Sequence, residues 1–122
     1  MSKLLIVDDE ADIREFAKHF FQKRGIDVVI ASGGQEALDL IALSNPDLTL
    51  LDVRMGDMTG VDVLKKLRDA GNQSKVIMVT GVEDPVIVKQ IQELGVCGYV
   101  HKPLALDELE HVVMKELKEL KG

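Results

Sequence analysis

Three carboxylates, a hydroxyl and an ammonium stand in this chain at the ends of apolar runs, where a fold can gather them. Lys3–Val7 runs into Asp8-Asp9, residues 47–51 into Asp52, residues 75–79 into Thr80, and residues 97–101 into Lys102-Pro103. If those runs are parallel strands of one sheet, all these groups meet at its carboxyl edge, where open α/β sheets bind their ligands. Three carboxylates in one place repel, so the folded site is expected to hold a cation or to raise their pKa values. Lys102 offsets part of that charge. A hard divalent ion suits an all-oxygen ligand set, and Mg²⁺ is commonly held by one or two carboxylates with water and phosphate oxygens. Beside such an ion an aspartate can attack a phosphoryl group and form an aspartyl phosphate. Charge on the transferring oxygens would be neutralised by the metal and Lys102, and one oxygen would accept from the Thr80 hydroxyl.

Each residue taken singly has a plainer explanation. An aspartate between strand and helix serves as an N-cap. That accounts for Asp8 or Asp9, but adjacent aspartates do not both cap one helix. No helical pattern begins between Asp52 and about Gly60, so capping does not explain Asp52. Thr80 alone would pass as a strand end and Lys102 alone as a surface lysine. Their convergence on one edge is what carries the argument.

The elements that must position these groups are legible in the periodicity. Ile13, Phe16, Ala17, Phe20 and Phe21 recur at helical spacing, a pattern ended by Gly25. Asp27–Ala31 is the second strand. Ser32-Gly33-Gly34-Gln35 reads as a capping box opening a helix with Ala37, Leu38 and Ile41 inward, closed at Asn45-Pro46. A loop spans 53–60, then a helix carries Val63, Leu64 and Leu67. Asp84-Pro85 is an N-cap followed by proline at the first helical position. The helix it starts holds Ile87, Val88, Ile91 and Leu94 and stops at Gly95. Leu106, Leu109, Val113, Leu117 and Leu120 stripe the last helix. Five strands alternating with five helices over short connections predict βα units and a parallel sheet. The runs 47–51 and 75–79 are nearly continuous in apolar residues, as for strands covered on both faces. Strand order does not follow from periodicity.

Composition narrows the function. At 122 residues the chain is expected to form one domain, 1–122, and 46% apolar residues are enough for a packed core. The net charge of -6 argues against direct nucleic-acid binding, and no basic arm or Cys/His finger compensates. Cys97 is the single cysteine, so no disulfide framework or multi-cysteine metal site exists, and it is expected to act as a small buried hydrophobe. His19, His101 and His111 lack metal-ligand spacing. Met55, Met58, Met78 and Met114 read as loop and core fillers. With no signal-peptide pattern and no apolar run of membrane-spanning length, a cytoplasmic protein without membrane contact is expected.

Asp8-Asp9, Asp52, Thr80-Gly81, Tyr99 and Lys102-Pro103 together resemble the signature of the receiver domain of two-component response regulators, and the resemblance covers essentially the whole chain. It implies a doubly wound (βα)₅, flavodoxin-like three-layer sandwich with strand order 2-1-3-4-5. It further implies that Asp52 accepts a phosphoryl group from a sensor histidine kinase or a histidine phosphotransfer protein. Asp8, Asp9, Asp52 and the backbone carbonyl of Arg54 would hold Mg²⁺. Lys102 and Thr80 would stabilise the phosphoryl group, Thr80 and Tyr99 would form a switch pair, and the bond before Pro103 would be cis. Arg54 and Val82 would flank the path of the attacking water and favour a persistent phosphoryl group. The signal would leave through the fourth helix, fifth strand and fifth helix, where Val86 is expected to be exposed. One departure is visible: Met55 is followed by Gly56 where family members often carry proline, which loosens the loop without removing a ligand.

Rival functions fare worse. An aspartyl-nucleophile phosphatase of the haloacid dehalogenase type needs an acid two residues after the nucleophile, and that position is Arg54. A flavin or nucleotide module needs glycines in the first βα turn, which here is Asp8-Asp9-Glu10. A degenerate receiver acting as a phosphorylation-independent binding module would lack part of the signature. The expected role is therefore a signalling phosphoacceptor, catalysing only its own phosphorylation and slow hydrolysis. The output would be a downstream protein target or a domain outside this chain, which is either a stand-alone regulator or part of a longer protein.

Overall fold

The computed structural model describes residues 2–81 and 84–121. Among them, five strands alternate with five helices: β1 (Lys3–Val7), α1 (Ala11–Gln22), β2 (Asp27–Ala31), α2 (Gly34–Ser44), β3 (Leu48–Asp52), α3 (Gly60–Asp69), β4 (Lys75–Thr80), α4 (Pro85–Leu94), β5 (Gly98–His101) and α5 (Leu106–Lys121). The strands form one parallel sheet in the order β2-β1-β3-β4-β5. Parallel crossovers are right-handed. The step from β1 to β2 therefore puts α1 on one face, and the reversed steps from β2 through β5 put α2, α3 and α4 on the other. The result is the doubly wound three-layer sandwich.

Alternation along each strand feeds both faces. Leu4, Ile6, Leu50, Ile77, Val79 and Val100 face α1 and α5, where Ala17, Phe21, Leu109, Val113 and Leu117 are buried against them. Leu5, Val7, Leu51, Val76 and Met78 face the other layer, built on Ala37, Ile41, Val63, Leu64, Leu67 and Ile91. Two buried faces explain why the central strands read as continuous apolar runs. Arg68 fastens the edge opposite the site: its guanidinium donates to the carbonyls of Leu94, Gly95, Asn72 and Ser74 at 2.7–3.0 Å.

Local differences from expectation have physical causes. Strand β3 includes Asp52 and β4 includes Thr80, because pairing to the neighbouring strand continues to those residues, whereas β5 starts at Gly98 rather than Cys97, where its register with β4 begins. Helix α1 ends at Gln22, three residues short of Gly25. Phe16 is 56% exposed, because it lies off the buried Ala17–Phe21 line of α1, on the side bordered by Pro103 and Leu104. The Ser32–Gln35 capping box does not form. The N-cap is Gly33, Ser32 Oγ contacts Glu36 at 3.4 Å, and Gln35 donates to Asp39 at 3.1 Å. A reciprocal capping box does open α3, between Thr59 and Asp62. Asp84 caps α4 through the Val86 N–H at 2.9 Å, with Pro85 in the first turn. Burial pushes the Cys97 thiol up to about 11, which keeps this half-buried group protonated and unreactive at neutral pH. The side chain of Leu120 lies outside the described residues. Among the described residues, no helix is long and apolar enough to cross a membrane.

Candidate functional site

The sheet reverses its winding between β1 and β3, and the carboxyl ends of these strands bring Asp8 and Asp52 side by side. Both are almost fully buried, at 3% exposure. Asp8 continues the pairing of β1, donating its N–H to the Ala31 carbonyl at 3.2 Å. Its Oδ1 accepts the Glu10 N–H at 2.9 Å, and its carbonyl accepts Arg14 Nη1 at 2.7 Å. These bonds hold the acidic turn against both β1 and α1. Carboxylate oxygens of Asp8, Asp9 and Glu10 come within 4.8 Å of one another. Glu10 was missed in the sequence, where an acid ahead of a helix reads as part of its first turn.

Asp52 accepts the Arg54 N–H on Oδ1 at 3.2 Å and Lys102 Nζ on Oδ2 at 2.8 Å. Lys102 also lies 3.4 Å from Asp8 Oδ2 and 3.7 Å from Glu10 Oε1. The lysine is delivered by the sheet, since its N–H donates to the Thr80 carbonyl at 2.9 Å, and the Lys102–Pro103 peptide bond is cis. Burial raises the Asp52 pKa above its ordinary value; the Asp8 charge adds to this and the Lys102 hydrogen bond opposes it. For Lys102, burial alone would favour the neutral amine, but Asp52 and Asp8 outweigh it and hold the pKa up. The ammonium is therefore charged at neutral pH.

Asp9, Glu10, Asp52, Arg54, Gly81 and Lys102 line an open cavity of about 420 Å³. Three of these lining groups are carboxylates, with the buried Asp8 beside them, and all their donors are hard oxygens; Lys102 and Arg54 supply the positive charge. This set fits a divalent cation such as Mg²⁺. Asp52 stands outside the Asp8–Asp9–Glu10 triad, with one oxygen taken by Lys102. Thr80 is fully buried at the end of β4, paired in register with His101. Tyr99 pairs with Met78, is half-buried against the layer that contains Ile91, and its ring centroid lies 5.3 Å from that of His101. Arg54 is exposed at the cavity, whereas Val82 lies outside the described residues.

A further residue shapes the site without contributing a functional group. Gly60 donates its N–H to the Val53 carbonyl at 2.8 Å, and a Cβ at this position would collide with the backbone carbonyl of Asp52. The loop after Asp52 can fold back onto its own strand only with glycine there. The sequence signal was present, a glycine at a helix start, but it indicates a turn as readily as a close approach.

Over residues 4–114 the chain matches the response regulator receiver domain family. It belongs to that family, whose members are the signalling phosphoacceptors of two-component systems. Sporulation initiation phosphotransferase F of Bacillus subtilis is 34% identical over 115 residues, 94% of this chain and 93% of that protein. Regulatory protein AtoC of Escherichia coli is also 34% identical, over 97% of this chain but 26% of its own length. Against response regulator MprA of Mycolicibacterium vanbaalenii the chain spans 46% of that protein. The chain thus spans nearly all of one relative and half or less of the others. Among solved structures, a CheY-like receiver domain protein from Methanospirillum hungatei superposes with a TM-score of 0.88 at 31% identity, over 100% of this chain and 99% of that one. TrrA of Thermotoga maritima, solved in complex with Mg²⁺-BeF, gives 0.83 at 32% identity over 95% and 99% of the two chains.

Proposed function

We propose that this chain, acting as one receiver unit over residues 1–122, takes a phosphoryl group from a phosphohistidine onto Asp52 and changes conformation in response. The observation that carries this reading is the approach of Lys102 to 2.8 Å from a buried Asp52 beside a triad of acids at one sheet edge. Asp8, Asp9, Asp52 and the Arg54 carbonyl would hold Mg²⁺, with Glu10 at hand in the same turn. When bound, the ion supplies charge neutralisation for the phosphoryl oxygens. Asp52, aligned by the Arg54 N–H, provides the attacking oxygen: an O–P bond forms, the P–N bond breaks, and the electron pair returns to the imidazole nitrogen of the donor. Lys102 is already charged and turns from Asp52 to the arriving oxygens, while the Thr80 hydroxyl donates to another. Hydrolysis then passes that phosphoryl group from Asp52 to water, releasing inorganic phosphate and restoring the carboxylate, and is confined to the protein's own phosphoryl group.

The donor would be a sensor histidine kinase or a histidine phosphotransfer protein, in the cytoplasm. Beside the acidic cavity, and sharing Lys102 with it, runs an apolar cleft of about 490 Å³ whose walls include Ile13, the exposed Phe16, Phe20, Pro103 and Leu104. A protein donor seated there would bring its imidazole to the cavity mouth. Incubation with a small acyl phosphate and Mg²⁺ should add one phosphoryl group by intact mass, and Asp52→Asn should abolish it. Phe16→Ser should keep that labelling yet slow transfer from a phosphorylated histidine protein. Full labelling of Asp52→Asn would refute the assignment of the acceptor.

A further inference from the structure

The loop that follows Asp52 is anchored at its far end by a carboxylate outside the acidic cavity. Asp57, on the exposed turn between β3 and α3, accepts the first N–H groups of α2: Gly34 on Oδ1 at 2.9 Å and Gln35 on Oδ2 at 3.1 Å. The N-cap residue of α2 is Gly33, which has no side chain to do this. The first N–H groups of a helix lack partners within it, and the helix dipole favours a carboxylate beside them. These two bonds hold the Asp57 carboxyl below its ordinary range. The receiving surface leaves room for the approach and for little else. A Cβ at Gly33 would stand 2.8 Å from Asp57 Oδ1, and one at Gly34 would collide with Met58.

Four residues, 53–56, separate this anchor from Asp52, and they include Arg54 and Gly56. At the near end the backbone is held by Val53 N–H on the Val79 carbonyl and Arg54 N–H on Asp52. Glycine at 56 has wider backbone freedom than the residues around it, so the course of 53–57 depends on being held at both ends. We infer that Asp57 is a positioning residue: by capping α2 from across the sheet edge, it fixes the loop backbone so that the Arg54 carbonyl is presented to a divalent cation in the acidic cavity. The inference rests on the reading of that cavity as a Mg²⁺ site. It makes α2 and the phosphoacceptor loop one mechanical unit, although they are far apart in sequence.

The test is Mg²⁺ affinity, by calorimetric or amide-shift titration, in the parent protein and in Asp57→Ala, Asp57→Asn, Gly34→Ala and Asp84→Ala. Groups that orient a metal ligand typically cost 10–100-fold in affinity when removed, so Asp57→Ala and Gly34→Ala should raise the Kd roughly tenfold. Asp57→Asn keeps one acceptor and should fall between parent and Asp57→Ala. Asp84→Ala removes a cap of similar kind from α4, and should lower the melting temperature while leaving the Kd unchanged. A parent-like Kd in Asp57→Ala, or equal weakening in Asp84→Ala, would overturn the inference, the second by assigning the effect to general destabilisation. Should Asp57→Ala not fold, Asp57→Asn and Gly34→Ala carry the same comparison. Failure of the parent itself to bind Mg²⁺ would instead refute the reading of the cavity.

Discussion

Lys102 stands between two buried carboxylates, 2.8 Å from Asp52 and 3.4 Å from Asp8. Its single charge does not neutralise two carboxylates, and burial keeps the Asp52 pKa raised despite the hydrogen bond. The consequence for stability has a definite sign. A group whose folded pKa lies above its unfolded value contributes most below the unfolded value, and that contribution is lost as pH rises through the folded one. Ionised Asp52 is therefore a cost at neutral pH in the absence of a cation. Asparagine cannot ionise, so Asp52→Asn should melt at a higher temperature than the parent at pH 7 in EDTA. The gap should close as pH falls below the ordinary aspartate value of 3.8. Melting curves across that range decide it: a variant less stable than the parent at pH 7 would mean that the Lys102 contact outweighs burial.

At the scale of elements, the junction of β3 and α3 carries a steric demand set by backbone rather than by a movable side chain. Helix α3 has its own capping box in Thr59 and Asp62, yet its first residue is Gly60. Propensity alone predicts that Gly60→Ala would stabilise the helix, by up to about 1 kcal/mol. Contact with the Asp52 carbonyl predicts the opposite, because a Cβ there forces the backbone to shift. Overpacking of this kind costs about 1–3 kcal/mol. Urea unfolding of Gly60→Ala should thus show a loss of that size, and the sign separates the two accounts. A gain would show that the loop can move off β3 freely, and that the position of Asp52 does not depend on it.

Across the whole molecule, the proposed switch would run from the acidic edge to the far surface through β4 and β5. Thr80 ends β4 with its side chain fully buried, and Tyr99 lies on the neighbouring strand, in the layer it shares with Ile87 and Ile91 of α4. Val86 on the same helix is 65% exposed. A phosphoryl group that draws the Thr80 hydroxyl toward it would free space for the Tyr99 ring and so alter the surface formed by α4, β5 and α5. Such a change is a shift between populations, driven by whatever the phosphoryl group favours differentially. Thr80→Ala should still accept phosphate at Asp52 but lose the amide shifts around Tyr99 and Val86. If those shifts persist in the variant, the signal takes another route.

The gathering of these groups at one sheet edge was readable from the chain because each sits at the end of a strand-like run: Asp8 after β1, Asp52 and Thr80 closing β3 and β4, Lys102 after β5. Periodicity identifies a strand, and a strand carries its last residue to the edge. The alternation of strands and helices likewise settled the fold class, since short connections leave a parallel sheet as the outcome. Other features depended on which elements become neighbours, which local pattern does not encode. Strand order is one of them, set by crossover handedness and packing. The exposure of Phe16 depends on which side of α1 meets the sheet, and the need for glycine at position 60 depends on the return path of a loop. Asp57 reaches α2 across more than twenty residues of sequence, and the Ser32 capping pattern lost to it because the longer-range carboxylate meets the free N–H groups of the helix. Local sequence determined what each element is and what it carries at its end; tertiary structure decided which backbones touch, because close approach is a property of pairs of elements and not of either one alone.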